Sequence, residues 1–263
     1  MSIFASTTPE DIATAQDSTA SSAHAIRWLQ LYWPQKVDQQ VTISILDRAR
    51  NAGYTALVIT LDIFSMSWRP MDLDNAYLPL YLGMSTALGF SDPVFRRKYK
   101  EKNGMEVDDD VMKGALAWEE TIFPGMAHAW HELAFLRKHW SGQIVVKGIQ
   151  SAQDAELAVE AGVDGIIVSN HGGREYDGAI GALDILQEVT QAVGDKLEVF
   201  FDSGVRSGAD IMKALALGAK AVFMGRPVVY GLGCKGEEGA EHVLRYILAV
   251  SALVYALSLT RRN

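Results

Sequence analysis

Cysteine is nearly absent from the 263-residue sequence, which contains one, Cys234. A lone cysteine excludes an internal disulfide and a cysteine-based metal cluster, and it fits a reducing compartment. We interpret Cys234 as a passive small side chain, and no metal site is expected. Long apolar runs are also missing, because the longest, 247–259, is too short to cross a bilayer of about 30 Å. It is predicted to form a terminal core helix.

Positive charge is scarce, since 24 Lys and Arg oppose 32 Asp and Glu and leave a formal net charge of -8. That balance argues against a nucleic acid or an anionic membrane as partner, because both require clustered basic side chains. Small solutes are the expected partners. The N-terminus lacks a basic stretch followed by an apolar one, and residues 260–263 spell no peroxisomal address, so a cytoplasmic location is predicted.

None of the predicted strands is directly followed by a G-x-G-x-x-G fingerprint, which disfavours a Rossmann dinucleotide site on the competing doubly wound sheet. Short runs rich in Val, Ile and Leu instead alternate with helix-period segments, as in parallel strand-helix units. Units of this number and size predict an α/β fold, a (β/α)8 TIM barrel that forms a single domain over 1–263. The predicted strands are 27–32, 56–61, 144–148, 165–168, 197–201 and 221–224, with a frayed seventh at 1–5.

Two segments between these strands, 152–161 and 208–217, place apolar residues at helical spacing behind Ser, Gly and Asp caps. The segment 68–125 breaks the alternation with prolines, aromatic residues and the charged stretch EVDDDVMKG. It is predicted to be a long functional insertion, and a disordered surface excursion is the alternative.

Polar residues directly after the apolar strands carry the functional prediction, because catalytic groups of barrels gather at the carboxyl ends of strands. His171, in SNHGGRE, directly follows a strand, and Gly172 and Gly173 allow a sharp turn close to a ligand. A neutral imidazole there can abstract a proton, and a satisfied structural histidine is the alternative. The strand-end residues are Gln30, Tyr32, Thr60, Asp62, Lys147, Ser169, His171, Arg174, Asp202 and Arg206.

Three charged side chains suit a reaction on a carboxylate substrate. Arg174, three residues after His171, offers a planar guanidinium fork that matches a carboxylate. Asp62 can hydrogen-bond the histidine and stabilise its protonated form. Arg69 is either a second carboxylate ligand or part of an ordinary loop salt bridge.

The last two predicted strands end in DSGVRSG and MGRP, whose glycines expose backbone N–H groups next to Arg206 and Arg226. Turns of this kind, each followed by a helix, form the usual phosphate site of a barrel. A bound phosphate group is therefore predicted here. Lys147 is a candidate to stabilise negative charge on a bound cofactor.

Taken together, SNHGGRE, DSGVRSGADIMKALALGAKAVFMGRP, VVKGI and LQLYWP closely resemble the FMN-dependent 2-hydroxy-acid dehydrogenase and oxidase family, and the likeness covers essentially the whole chain. Within that family, TLDIFSMSWRPMDL, AYLPLYLGM and FSDPVF are most similar to the lactate 2-monooxygenase branch. The glycine-arginine portion alone also resembles other phosphate-binding barrels. A barrel that acts on nucleotides or sugar phosphates would leave His171 and Arg69 without a role.

The resemblance implies a role for each matching residue. It makes His171 the active-site base, oriented by Asp62, and it makes Lys147 the group that stabilises the anionic reduced flavin ring. The implied substrate-binding residues are Tyr32, Arg69, Arg174 and Phe4. The implied FMN-binding residues are Ser2, Gln30, Thr60, Lys147, Ser169, Asp202, Gly204, Arg206, Gly225 and Arg226.

The implied reaction oxidises a lactate-like L-2-hydroxy acid to the 2-keto acid and passes two electrons to FMN, which oxygen reoxidises. In the monooxygenase branch, the retained keto acid reacts with peroxide and loses carbon dioxide, with 68–125 as the expected lid. The resemblance also implies a homo-oligomer.

The same resemblance aligns Met1 with the family's second barrel strand, so the first strand and helix, with a substrate-binding tyrosine, are missing from the match. We therefore expect an N-terminally truncated barrel with exposed strand edges and reduced activity. Ser2 and Phe4 would lie at its frayed start. The alternative function is a catalytically impaired flavin-binding chain, or pseudoenzyme.

Overall fold

The computed structural model describes residues 7–19, 26–66 and 69–260. The chain divides into two compact units, Met1–Val146 and Lys147–Asn263. The strands are hydrogen-bonded in chain order: β1 (Trp28–Leu31), β2 (Ala56–Thr60), β3 (Gln143–Ile149), β4 (Gly165–Val168), β5 (Glu198–Phe201) and β6 (Ala221–Val222). The six predicted strands are confirmed to within two residues at each end. The predicted seventh, 1–5, lies outside the described residues.

The first unit contains most of the short helices. They are α1 (Pro9–Thr19), α2 (Gln39–Asn51), α3 (Pro70–Asp74), α4 (Ala87–Phe90), α5 (Pro93–Asn103), α6 (Val111–Ile122) and α7 (Leu133–His139). Single 3-10 turns form at Lys36–Asp38, Pro79–Leu82 and Trp130–Glu132. Strands β1 and β2 pair in parallel, with Trp28 opposite Ala56 and Leu31 opposite Ile59. Every side chain of β2 is buried, as expected for a run of apolar residues in a parallel sheet.

The predicted insertion is ordered over 69–125, so the alternative of a disordered excursion is wrong for the described residues. Buried side chains and the N-cap of α5 hold these helices in place. Asp92 is fully buried, caps α5 and accepts a hydrogen bond from Arg48 of α2 at 3.4 Å. Phe95 of α5 packs edge-on against Trp118 of α6, with the ring centroids 5.1 Å apart. Apolar residues between the charged stretches therefore supply a core of their own.

The second unit contains four helices: α8 (Ala152–Glu160), α9 (Ala182–Val193), α10 (Gly208–Ala216) and α11 (Arg226–Thr260). Strand β4 is buried throughout and pairs in parallel with β5, which pairs with β6. Helix α8 packs against α9, and α10 packs against α11. The two predicted helices are confirmed as α8 and α10, and the hydroxyls of Ser151 and Ser207 cap them by accepting from Asp154 N and Asp210 N.

Helix α11 contradicts the prediction of a terminal core helix over 247–259. Ile247 is 2% exposed, whereas Leu248, Leu253 and Tyr255 are 65%, 59% and 55% exposed. Apolar residues occur on every side of this helix over 247–259, so its sequence defines no single buried face, and the side toward α10 is covered. The backbone leaves helical geometry at Lys235 and Gly236 within α11. In the described part of the chain, no helix combines the length and the apolarity that a membrane span requires.

Candidate active site

The turn after β4 presents His171 in a left-handed backbone conformation. The φ angles of His171, Gly172 and Gly173 are 57°, 70° and 71°, and the imidazole is 20% exposed. Glycine adopts such angles without a steric penalty, whereas histidine does so only when its surroundings hold it there. The two glycines therefore complete a tight turn that brings the imidazole to the surface at the end of a buried strand.

Two serine hydroxyls hold the backbone of this turn. The N–H groups of Asn170 and Gly172 donate to Ser203 Oγ at 3.2 and 3.0 Å. Between them, the N–H of His171 donates to Ser169 Oγ at 3.1 Å. Three consecutive backbone donors are thus bonded to side chains rather than to secondary structure.

Among the predicted cofactor residues, Lys147 contacts both Ser169 and Asp202. Lys147 Nζ donates to Ser169 Oγ at 3.0 Å and lies 3.6 Å from Asp202 Oδ2. Both charged side chains are largely buried, at 14% and 18% exposed. The register that places Val168 opposite Phe201 brings the residues after β4 beside those after β5. The structure therefore brings together three of the residues predicted at the strand ends.

Glu175, which was not among the predicted site residues, has a carboxylate close to the imidazole of His171. Its Oε1 lies 3.8 Å from His171 Nε2, and its side chain is 7% exposed. Arg174, between the two residues, has an exposed side chain.

The turn after β5 contains Gly204, which has open space beside its backbone, and leads into the N-cap of α10. Gly204 has φ +74°, and no described residue beyond its chain neighbours has an atom within 4 Å of the position that a Cβ would occupy. Asp210 accepts from the backbone N–H of Arg206 and of Ser207, at 3.2 and 3.0 Å, and from the Ser207 hydroxyl. Burial alone would raise the pKa of Asp210, but these hydrogen bonds outweigh it and lower the pKa. Asp210 thus takes donors at the start of α10 that a bound anion would need.

The start of α11 is more open to an anion. Gly225 has open space where a Cβ would lie, and Arg226 is exposed. Arg226 Nη2 donates to the carbonyl oxygen of Gly172 at 2.6 Å. Arg226, one of the predicted phosphate-binding residues, is therefore hydrogen-bonded directly to the His171 turn.

In the first unit, the predicted flavin-lining residues Gln30 and Thr60 contact each other across the paired ends of β1 and β2. Gln30 Nε2 donates to Thr60 Oγ1 at 2.5 Å, and Thr60 is buried. Tyr32 is also buried, with its ring centroid 4.9 Å from that of Phe123. Asp62 lies two residues after the end of β2 and is partly exposed.

Arg69 Nη1 lies 3.9 Å from Asp72 Oδ2, a separation at the outer limit of an ion pair. Ser2 and Phe4 lie outside the described residues. The functional roles predicted for the site residues of both units stay predictions.

A second polar cluster was not predicted from the sequence. Trp33, directly after Tyr32, stacks on His128 with ring centroids 3.9 Å apart. His128 Nε2 lies 2.9 Å from Trp33 O, and His128 Nδ1 lies 3.2 Å from Glu132 Oε2. The Lys36 ammonium, which hydrogen-bonds to Glu132, lowers the pKa of this carboxyl to about 2, and the Ala129 N–H contributes to the same shift. These residues line a cavity of about 140 Å³ in the first unit.

Family comparison gives this geometry its context. The sequence model of the family described as FMN-dependent dehydrogenase matches residues 1–254. The chain belongs to this family. The match confirms the family predicted from the strand-end motifs, and it runs through both compact units.

Curated relatives and solved structures agree with the family. An FMN-dependent alpha-hydroxy acid dehydrogenase of Schizosaccharomyces pombe is 51% identical over 245 residues, which are 92% of this chain and 60% of the relative. An L-lactate oxidase of Lysinibacillus sphaericus is 39% identical over 238 residues, 90% of this chain and 58% of the relative. A Pediococcus acidilactici protein described as a lactate oxidase superposes with a TM-score of 0.76 at 29% identity, covering 97% of this chain and 62% of that structure.

These matches confirm the predicted α/β barrel class. The chain spans about three fifths of the length of the curated relatives it matches. The lactate 2-monooxygenase branch stays a prediction.

Proposed function

We propose that the chain binds FMN and oxidises a small L-2-hydroxy acid to the corresponding 2-keto acid. One observation carries the proposal: the strained turn that presents His171 is hydrogen-bonded through Ser169 to Lys147, which pairs with Asp202. A base held beside a buried cation is suited to proton abstraction coupled to the formation of negative charge nearby. Family membership supports FMN as the group that receives this charge.

The described residues of the second unit fit the phosphate group of FMN. Gly204 and Gly225 leave open space beside their backbones, and Arg206 and Arg226 are exposed cations. Arginine matches phosphate geometry, and glycine lets a ligand approach the backbone closely. Because Asp210 closes the cap of α10, we place the phosphate toward the start of α11.

Other predicted residues would contact the remainder of the cofactor. Lys147, largely buried, would stabilise negative charge on the flavin ring. The other proposed ring and ribityl contacts are Gln30, Thr60, Ser169, Asp202 and Ser2. When bound, FMN supplies a two-electron acceptor.

The protein's own residues would manage the proton and the carboxylate. An imidazole nitrogen of His171 accepts a proton from the substrate, and the imidazolium that forms lies within reach of the Glu175 carboxylate. Arg174 is exposed, and we propose that its guanidinium group binds the substrate carboxylate. We propose Asp62 as an orienting group for His171, as the resemblance implies. Tyr32, Arg69 and Phe4 are the further proposed substrate contacts.

The finer features of the proposal come from the resemblance and from the names of relatives. A lactate-like substrate and oxygen as electron acceptor are supported by the relative described as an L-lactate oxidase. Oxidative decarboxylation of the retained keto acid by hydrogen peroxide, giving a carboxylic acid one carbon shorter, carbon dioxide and water, is proposed for the monooxygenase branch. A cytoplasmic homo-oligomer built from one flavin-binding domain per chain completes the proposal.

The test is an anaerobic absorbance experiment on the FMN-loaded 263-residue chain. Adding L-lactate, glycolate or L-mandelate should bleach the flavin band with at least one substrate. The matched control is His171→Asn, because asparagine tolerates the left-handed conformation of position 171 but cannot act as the base. This variant should bind FMN and stay oxidised.

Three results separate the alternatives. Bleaching in the wild type that is lost in His171→Asn supports the proposed reaction. FMN that binds but stays oxidised with every 2-hydroxy acid would instead support the impaired flavin-binding chain. After bleaching, air is admitted and the products are assayed. Hydrogen peroxide with the 2-keto acid indicates an oxidase, whereas a carboxylic acid one carbon shorter indicates a decarboxylating enzyme.

A further inference from the structure

We propose that Ser203 is a positioning residue for His171, and that its hydroxyl determines the shape of the turn that presents the imidazole. The inference rests on the proposed function for the role of His171 as the base. Ser203 lies in the turn after β5, next to Asp202 and 32 positions after His171 in the sequence. It was not among the residues predicted from the strand-end motifs.

The Ser203 hydroxyl hydrogen-bonds to one carboxylate and two backbone N–H groups, and it lies 3.5 Å from the Ser169 hydroxyl. A serine hydroxyl has one donor hydrogen and two acceptor lone pairs. Ser203 Oγ donates to Asp202 Oδ1 at 2.8 Å and accepts the N–H groups of Asn170 and Gly172 at 3.2 and 3.0 Å. The carboxylate fixes the direction of the O–H bond, and the lone pairs then face the two residues that flank His171. No other described residue contacts both flanking N–H groups.

Ser203 has a left-handed backbone conformation, which glycine would adopt at a lower cost. Its φ angle is 82°, in the left-handed region that glycine adopts freely and other residues adopt at a cost. A backbone requirement alone would be met best by glycine, as at the adjacent Gly204 with φ 74°. The hydroxyl is therefore the feature that serine adds at this position.

The hydroxyl also connects the turn to the charged pair. Asp202, which receives the Ser203 hydrogen bond, lies 3.6 Å from Lys147 Nζ, and Lys147 donates to Ser169. Ser169 in turn accepts the N–H of His171. The three consecutive N–H groups around His171 are thus held by two hydroxyls that both contact the Lys147–Asp202 pair.

The test compares two variants that both lack the hydroxyl and differ by one methyl group. Ser203→Gly suits the left-handed backbone, whereas Ser203→Ala leaves the residue strained. Ser85→Gly is the matched control, because Ser85 also has a positive φ, of 65°, but lies in the turn before α4. Amide hydrogen exchange at Asn170 and Gly172, thermal unfolding and anaerobic flavin reduction are measured on the full chain.

In both Ser203 variants, the amide hydrogens of Asn170 and Gly172 should exchange at least about tenfold faster than in the wild type, because each amide loses its acceptor. Ser203→Gly should unfold at a higher temperature than Ser203→Ala, because glycine suits the left-handed backbone, and it should still slow flavin reduction by about tenfold. Ser203→Ala should unfold at a lower temperature. Ser85→Gly should leave exchange at the His171 turn and the rate of reduction unchanged.

Wild-type exchange and wild-type reduction in Ser203→Gly would overturn the inference, because the position would then need only its backbone conformation. If the wild-type chain reduces no flavin at all, the proposed function fails, but the exchange measurement still decides whether the hydroxyl holds the turn. Faster exchange with an unaltered reduction rate would show that the turn is held for stability, and would also overturn the inference.

Discussion

Arg226 Nη2 donates a 2.6 Å hydrogen bond to the carbonyl oxygen of Gly172, and so joins the first residue of α11 to the turn that carries His171. The hydrogen bond leaves other guanidinium donors of Arg226 for a ligand. An arginine that contacts both a bound phosphate and the catalytic turn would link cofactor binding to the position of the base.

Replacing Arg226 by alanine should therefore weaken FMN binding and loosen the turn together. Loss of one charge-assisted contact is worth about 2 kcal/mol, so we expect the Kd for FMN to rise by roughly thirtyfold. Fluorescence titration of FMN measures this change. Arg245→Ala is the control, because Arg245 is exposed and pairs with Glu241 one helical turn away on α11. Equal FMN affinity in both variants would contradict the assignment of Arg226.

Replacing Glu175 by glutamine should slow the reaction without weakening cofactor binding. The substitution keeps the shape of the side chain and removes the charge that lies 3.8 Å from His171 Nε2. We expect substrate-driven flavin reduction to slow by about fivefold, since the imidazolium loses about 1 kcal/mol of stabilisation. Stopped-flow absorbance measures the rate, and Asp177→Asn, an exposed change in the same loop, should have no effect. An unchanged rate in Glu175→Gln would exclude this role.

The pKa of Glu132 predicts how stability depends on pH in the first unit. The Lys36 ammonium, the Ala129 N–H and His128 lower this pKa from 4.5 to about 2. A lowered pKa means that the unfolded chain binds the proton more tightly, so the carboxylate stabilises the fold above pH 4.5 and loses this effect as the pH falls toward 2. Glu132→Gln should therefore cost about 1 kcal/mol at pH 7, a cost that shrinks through that window.

Urea unfolding at a series of pH values tests this prediction. Glu101→Gln is the control, because Glu101 is exposed and lies 3.9 Å from Arg97. A stability difference between wild type and Glu132→Gln that stays constant from pH 7 to pH 3 would contradict the proposed linkage.

Two glycine substitutions should change stability in opposite directions. A Cβ at Gly89 would collide with the ring of the buried Trp118, so Gly89→Ala should destabilise the protein by about 1–3 kcal/mol. Gly233, within α11, has open space at the same position, so Gly233→Ala should stabilise the helix by about 0.5–1 kcal/mol. Thermal unfolding measures both. A neutral Gly89→Ala would show that Trp118 can move aside.

Much of the fold was predictable because its signals are local. Runs of Val, Ile and Leu marked all six strands, and β4 was predicted with its observed bounds, Gly165–Val168. Serine caps and apolar spacing marked α8 and α10. The helices within 69–125 were missed because prolines and charges interrupt their periodicity, although Asp92 and Pro93 form a recognisable helix start.

The candidate site was predictable only in part. Strand-end reasoning identified Lys147, Ser169, His171 and Asp202, because parallel strands carry their carboxyl ends to one edge of a sheet. It missed Ser203 and Glu175. A serine inside DSG and a glutamate four residues after a histidine are visible in the sequence, but no spacing rule reveals the direction of a hydroxyl or the burial of a carboxylate.

The sequence by itself determined where strands end, which residue types follow them, and that glycines after His171 permit a left-handed turn. Only the tertiary structure decided that Ser203 bonds to the residues around His171, because that contact depends on the register that places Val168 opposite Phe201. Both strands are almost uniformly apolar, so their sequences contain no alternation that would select one register. Exposure of α11 was likewise decided by packing, since its apolar residues occupy every side of the helix.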